Sequence, residues 1–121
     1  MANPIKGEVA LVAGEKTYNF RLSANTLVEM EDHFGGKSFN EIMEDMGSRP
    51  SIKGLRTVVW FALSENDPAP DEKEAGRIID AAGMTAINEA LKKAIEITFP
   101  PRKESEEENP QTAADGTGKG S

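Results

Sequence analysis

The chain contains no cysteine. Disulfides, thiolate nucleophiles and cysteine-ligated zinc are thereby excluded, and the composition fits a reducing compartment. Histidine occurs once, too few imidazoles for the usual histidine-rich metal sites. Aromatic residues make up only 6% of the sequence, so a core must come mostly from Ile, Val, Leu, Met and Ala. No apolar run approaches the ~18 residues that a membrane span needs. The opening MANPIKGE lacks the charged-then-apolar pattern of a signal peptide. A basic excess is missing too: 14 Lys and Arg stand against 21 Asp and Glu, for a net charge of -7. Nucleic-acid surfaces are basic and clustered, which argues against DNA or RNA as a partner. These absences predict a cytoplasmic protein with neither a membrane nor a nucleic-acid partner.

The 121 residues support one domain. Val9, Leu11 and Ala13 alternate with Glu8, Ala10 and Val12, and Tyr18, Phe20 and Leu22 alternate with Asn19 and Arg21. This period of two predicts paired strands across a turn at Gly14-Glu15-Lys16, a hairpin within 7–22. Ser23 is a suitable N-cap for a helix over 24–34, with Leu27, Met30, Glu31 and Phe34 on one face and Gly35-Gly36 as its stop. Ser38 and Glu41 make a capping-box pattern before a helix that buries Phe39, Ile42, Met43 and Met46. Pro50 and Ser51 open a third helix over 52–63, apolar almost all round, with Lys53, Arg56, Thr57 and Ser64 as its polar side. A helix of that kind is usually central. A fourth helix spans 71–82 with Ala75, Ile78, Ile79 and Ala82 inward, and Gly83 ends it. Thr85 is the expected cap of a fifth, with Ile87, Ala90, Leu91, Ala94 and Ile95 buried and Phe99 as its last apolar anchor.

The predicted class is α+β, mainly α: an N-terminal β-hairpin followed by five short helices packed around the helix near 52–63. Residues 1–99 form the expected globular domain, and 100–121 an acidic, Gly-rich tail too poor in apolar residues to order itself. The acidity is not confined to that tail, since 1–99 hold 11 basic against 16 acidic residues.

Little here suggests catalysis. Glu29, Asp32 and His33 could supply metal ligands, but one imidazole beside two carboxylates is more simply a solvated helix face. Ser23, Ser38 and Ser51 sit at helix starts, where capping explains them. Glu41, Glu44 and Asp45 lie on a helix surface without the apolar cavity that shifts a carboxylate into acid–base work. The terminal Gly116-Thr117-Gly118-Lys119-Gly120-Ser121 lacks the glycine spacing, hydroxyl and following helix of a phosphate loop. No enzyme, metal or cofactor is expected. Trp60 towards the polar edge of its helix, with Phe61, Met43 and Met46, is instead the candidate partner-binding set. Tryptophan anchors interfaces, and methionines, Met30 and Met84 among them, make adaptable apolar surface.

The order of motifs resembles the phage tail assembly chaperone family of gene transfer agents and related prophages, also labelled a phage tail tube family. Its opening N-x-x-R/K-G-E-V falls on Asn3, Lys6, Gly7, Glu8 and Val9, and its L-x-E-x-E helix core on Leu27, Glu29 and Glu31, closed by Gly35. LRTVVWFAL at 55–63, EAGRIIDAAG at 74–83 and ITFP at 97–100 follow in order. The resemblance implies a non-enzymatic role in tail morphogenesis. A chaperone of this kind binds the apolar helical tape measure protein until tail tube subunits polymerise around it. A homo-oligomer is compatible with it, and the implied alternative is a structural tail component, such as a tube or connector subunit. The single hairpin speaks against a tube subunit, which would be β-rich.

Overall fold

A computed structural model of the chain describes residues 7–100. Residues 101–121 of the expected tail, with the terminal glycine-rich motif, and the family motif positions Asn3 and Lys6 lie outside those residues. Strands β1 (Glu8–Ala13) and β2 (Lys16–Arg21) pair antiparallel, with Ala13 opposite Lys16 and Glu8 opposite Arg21. The turn is therefore two residues, Gly14-Glu15, and Lys16 already belongs to β2. Gly14 sits at φ 65, the left-handed conformation that tight hairpins require and glycine adopts without strain.

The five helices are α1 (Ala24–His33), α2 (Phe39–Ser48), α3 (Ile52–Ala62), α4 (Glu72–Ala82) and α5 (Met84–Thr98). The expected α+β, mainly α architecture is thus observed among the described residues. Val9, Leu11, Ala13, Phe20 and Leu22 form the buried face of the hairpin region. β1 packs on α4 and α5, while α3 touches β2, α1 and α4. With Leu55, Thr57, Val58, Val59, Phe61 and Ala62 buried, α3 runs through the middle of the core. Fully burying a side chain such as Phe20 or Leu22 contributes about 1.5–3 kcal/mol, and a two-stranded sheet needs that contact to persist.

Short-range chemistry sets the helix ends. The hydroxyls of Ser23, Ser38 and Ser51 accept from the backbone N–H of Thr26, Glu41 and Gly54, and Glu41 returns a bond to the Ser38 N–H at 2.9 Å. Gly35 and Gly36, both at positive φ, donate to the Asp32 and Glu31 carbonyls and close α1 in a Schellman motif. Asp71 caps α4 from outside the helix rather than opening it.

Some expectations fail. Thr85 does not cap α5: that helix starts a residue earlier, at Met84, and Gly83 at φ 90 both ends α4 and precedes α5. Gly83 occupies the N-cap position and has no side chain to cap with. Thr57, expected on a polar side, is 3% exposed, with its hydroxyl 3.0 Å from the Lys53 carbonyl and 3.3 Å from the Glu72 carboxylate. Thr26 is buried where Leu27 was expected to be, and Leu27 is only half-buried. Glu31, the charged residue on the apolar side of α1, accepts from the Phe39 N–H at 2.8 Å. It satisfies a free donor at the start of α2. Phe99 does anchor the end of α5, by stacking on Phe39 at 5.6 Å, although it remains half exposed.

Candidate partner-binding surface

The last turns of α1 and α3 bring a set of rings together. Trp60 and Phe61 are adjacent, so they leave α3 about 100° apart. Phe61 turns into the core and is 9% exposed, whereas Trp60 stays at the margin, half-buried. Their rings lie 5.0 Å apart. His33 meets Phe34 and Phe61 edge-on at 5.5 Å and Trp60 at 6.2 Å. Edge-to-face geometry of this sort is the preferred way for π systems to meet. His33 was expected on a wet face. It is exposed, yet its ring packs on three others, which the spacing within α1 alone could not reveal. Neither carboxylate joins it in a ligand cluster: among the described residues no group of three or more His, Asp or Glu could hold a metal ion.

Next to the rings, an open groove of about 290 Å³ lies between the end of α1, α2 and the start of α3. Phe34, Ile42 and Met46 make its apolar lining, and Lys37, Asp45 and Arg49 its polar margin. Phe34 belongs to both features, so groove and ring cluster are continuous. Lys37 and Asp45 form an ion pair. The hydrogen bond from Lys37, and then its charge, hold the Asp45 carboxyl below its ordinary value. Both side chains are about half exposed, so the pair gives the margin shape more than stability.

Of the four expected residues, Met46 lines the groove and Met43 packs half-buried on the core beside it. Trp60 and Phe61 belong to the ring cluster. Met30 is fully buried and so is core, while Met84 is exposed elsewhere. The sequence reading missed Phe34, Ile42, Lys37, Asp45 and Arg49 as surface participants. Phe34 and Ile42 carried a helical-core signal. The Lys37–Asp45 pairing spans the α1–α2 turn, where no periodicity reports it.

Ser23, Ser38 and Ser51 each cap a helix. Ser23 accepts from the Thr26 N–H at 3.2 Å and donates to Glu65 at 2.6 Å. Glu65 also takes Arg21 at 2.8 Å. The Ser23 bond does most to lower the Glu65 carboxyl pKa; burial opposes it, and the Arg21 bond and charge and the Thr26 bond add smaller lowering effects. This cluster ties the end of β2 and the start of α1 to the loop after α3. Among the described residues no helix is long and apolar enough to cross a membrane.

Comparison with protein-family models, with curated proteins and with solved structures finds no match.

Proposed function

We propose that the chain is a non-enzymatic tail protein of a phage or gene transfer agent, acting as an assembly chaperone that binds the tape measure protein. The observation that carries this reading is the open apolar groove of Phe34, Ile42 and Met46, continuous with the half-buried Trp60. An amphipathic helix places residues at i, i+3, i+4 and i+7 into such a groove. A long apolar helical protein supplies many such segments. The ordered motifs from Gly7 to Pro100 support the same reading by resemblance. The net charge of -7 keeps copies of the chaperone apart, so that release of the client leaves a dispersed protein.

Co-expression with a tape measure protein tests the reading. The two should co-purify, Met46→Glu should abolish the complex, and finished particles should lack the chain. Stoichiometric retention in purified particles would instead make it a structural tail component.

A further inference from the structure

The two edges of the hairpin differ. Beside a two-residue turn the Ala13–Lys16 pair is hydrogen-bonded, so bonded pairs alternate and Ala10 and Val12 turn their N–H and C=O away from β2. On the β2 edge, the outward groups of Asn19 are met by the Asn66 side chain at 2.9 and 2.7 Å, and Lys16 and Arg21 charge the ends of the strand. On the β1 edge, nothing among the described residues meets the outward groups of Ala10 or Val12. Proteins usually blunt such an edge with charge, proline or a bulge. Val9-Ala10-Leu11-Val12-Ala13 has none of these: all five residues are uncharged and the register runs through them without interruption. The outer face is apolar as well, since Ala10 is exposed and Val12 is 59% exposed. Burial of Val9, Leu11 and Ala13 beneath holds the strand in place.

We propose that the β1 edge pairs antiparallel with the same edge of a second copy, joining two hairpins into one four-stranded sheet across a two-fold axis. The edge is its own complement. Centred on Leu11, the two-fold sets Ala10 opposite Val12 of the second copy and Val12 opposite its Ala10, and these two pairs exchange four backbone hydrogen bonds. A small side chain then meets a larger one on the outer face, and Glu8 falls opposite Gly14 and not opposite another carboxylate. A foreign segment would have to be ordered on binding, whereas the second copy brings a strand already held extended by its own hairpin and helices. The net charge of -7 opposes contact between copies in general. Directional bonds overcome it at this edge, and the two-fold uses up the edge in both copies, so association stops at two. The proposal is independent of the tape measure reading, which rests on the groove at Met46.

Sedimentation velocity of the full chain should show a monomer–dimer equilibrium that moves towards dimer as protein concentration rises, and as added salt screens the repulsion between copies. Amide exchange at Ala10 and Val12 should slow over the same concentration range. Val12→Pro removes one donor per copy yet spares the ladder with β2, because that N–H faces outward. It should raise the dimer dissociation constant at least about tenfold. Charge variants test the register. Ala10→Lys with Val12→Lys sets like charges opposite each other across the two-fold, and Ala10→Glu with Val12→Glu does the same. Each double variant should be monomeric alone and folded by circular dichroism, since both side chains are exposed. Mixed in equal amounts, the two should form a heterodimer. A monomer at every concentration, a dimer untouched by Val12→Pro, or double variants that fail to pair on mixing would overturn the proposal. So would protection of the Ala10 and Val12 amides only when tape measure protein is bound, since a partner's strand would then be the occupant.

Discussion

Asn66 stands in for a missing strand, and replacing it should show how much the hairpin depends on the loop after α3. Next to a two-residue turn, Ala13 and Lys16 exchange hydrogen bonds, and bonded pairs then alternate along the ladder. Ala10 and Asn19 are therefore a non-bonded pair, and the Asn19 N–H and C=O face away from β1. The Asn66 side chain meets both: its Oδ1 accepts from the Asn19 N–H at 2.9 Å, and its Nδ2 donates to the Asn19 carbonyl at 2.7 Å. The same Nδ2 donates to the Leu63 carbonyl at 2.9 Å. Asn66→Ala removes three bonds and leaves half-buried backbone groups without partners. At about 0.5–1.5 kcal/mol each, with some recovered by water, the loss should be about 2–3 kcal/mol. For a domain of this size that lowers Tm by roughly 10–20 °C. Asn66→Asp is the sharper variant. It keeps the acceptor but sets carboxylate oxygen against two carbonyls, so near neutral pH it should be at least as destabilised as the alanine variant. Urea unfolding followed by circular dichroism measures both, and amide exchange at Asn19 should accelerate in each. An alanine variant within about 0.5 kcal/mol of the parent, in the range of an ordinary surface substitution, would refute the account.

Glu65 gives a pH signature. Its folded carboxyl is held below the ordinary 4.5, so its contribution is present above the unfolded pKa and is lost as pH falls through the folded one. The parent should therefore lose stability on acidification more steeply than Glu65→Gln, converging with it in acid. The side chain is 40% exposed, and the difference at neutral pH should stay near about 1 kcal/mol. Parallel acid limbs for the two proteins would contradict this. Ser38→Ala should cost about 1 kcal/mol in urea unfolding by breaking the capping box of α2. Adding Glu41→Ala should cost less than the sum of the single changes, since each residue satisfies the other's backbone donor.

The sequence by itself determined the elements and most of their ends. Alternation at Val9, Leu11 and Phe20 marked the hairpin, and Ser23, Ser38, Ser51 and the Gly35-Gly36 pair marked helix boundaries, because those signals act between residues a few positions apart. It also marked α3 as central, from a surface apolar almost all round, although Thr57 on its expected polar side is buried. Tertiary structure alone decided which polar groups are shared between elements. Glu31 reaches the first amide of α2, Asn66 seals the edge of β2 across 47 residues, and Thr98 fastens the end of α5 to the Leu22 carbonyl across 76. Packing likewise sorted the methionines, with Met30 sealed in the core and Met46 left on a groove. Periodicity reports the side of a helix a residue occupies. What covers that side depends on how the helices pack, so the candidate groove became visible only once α1, α2 and α3 were in place.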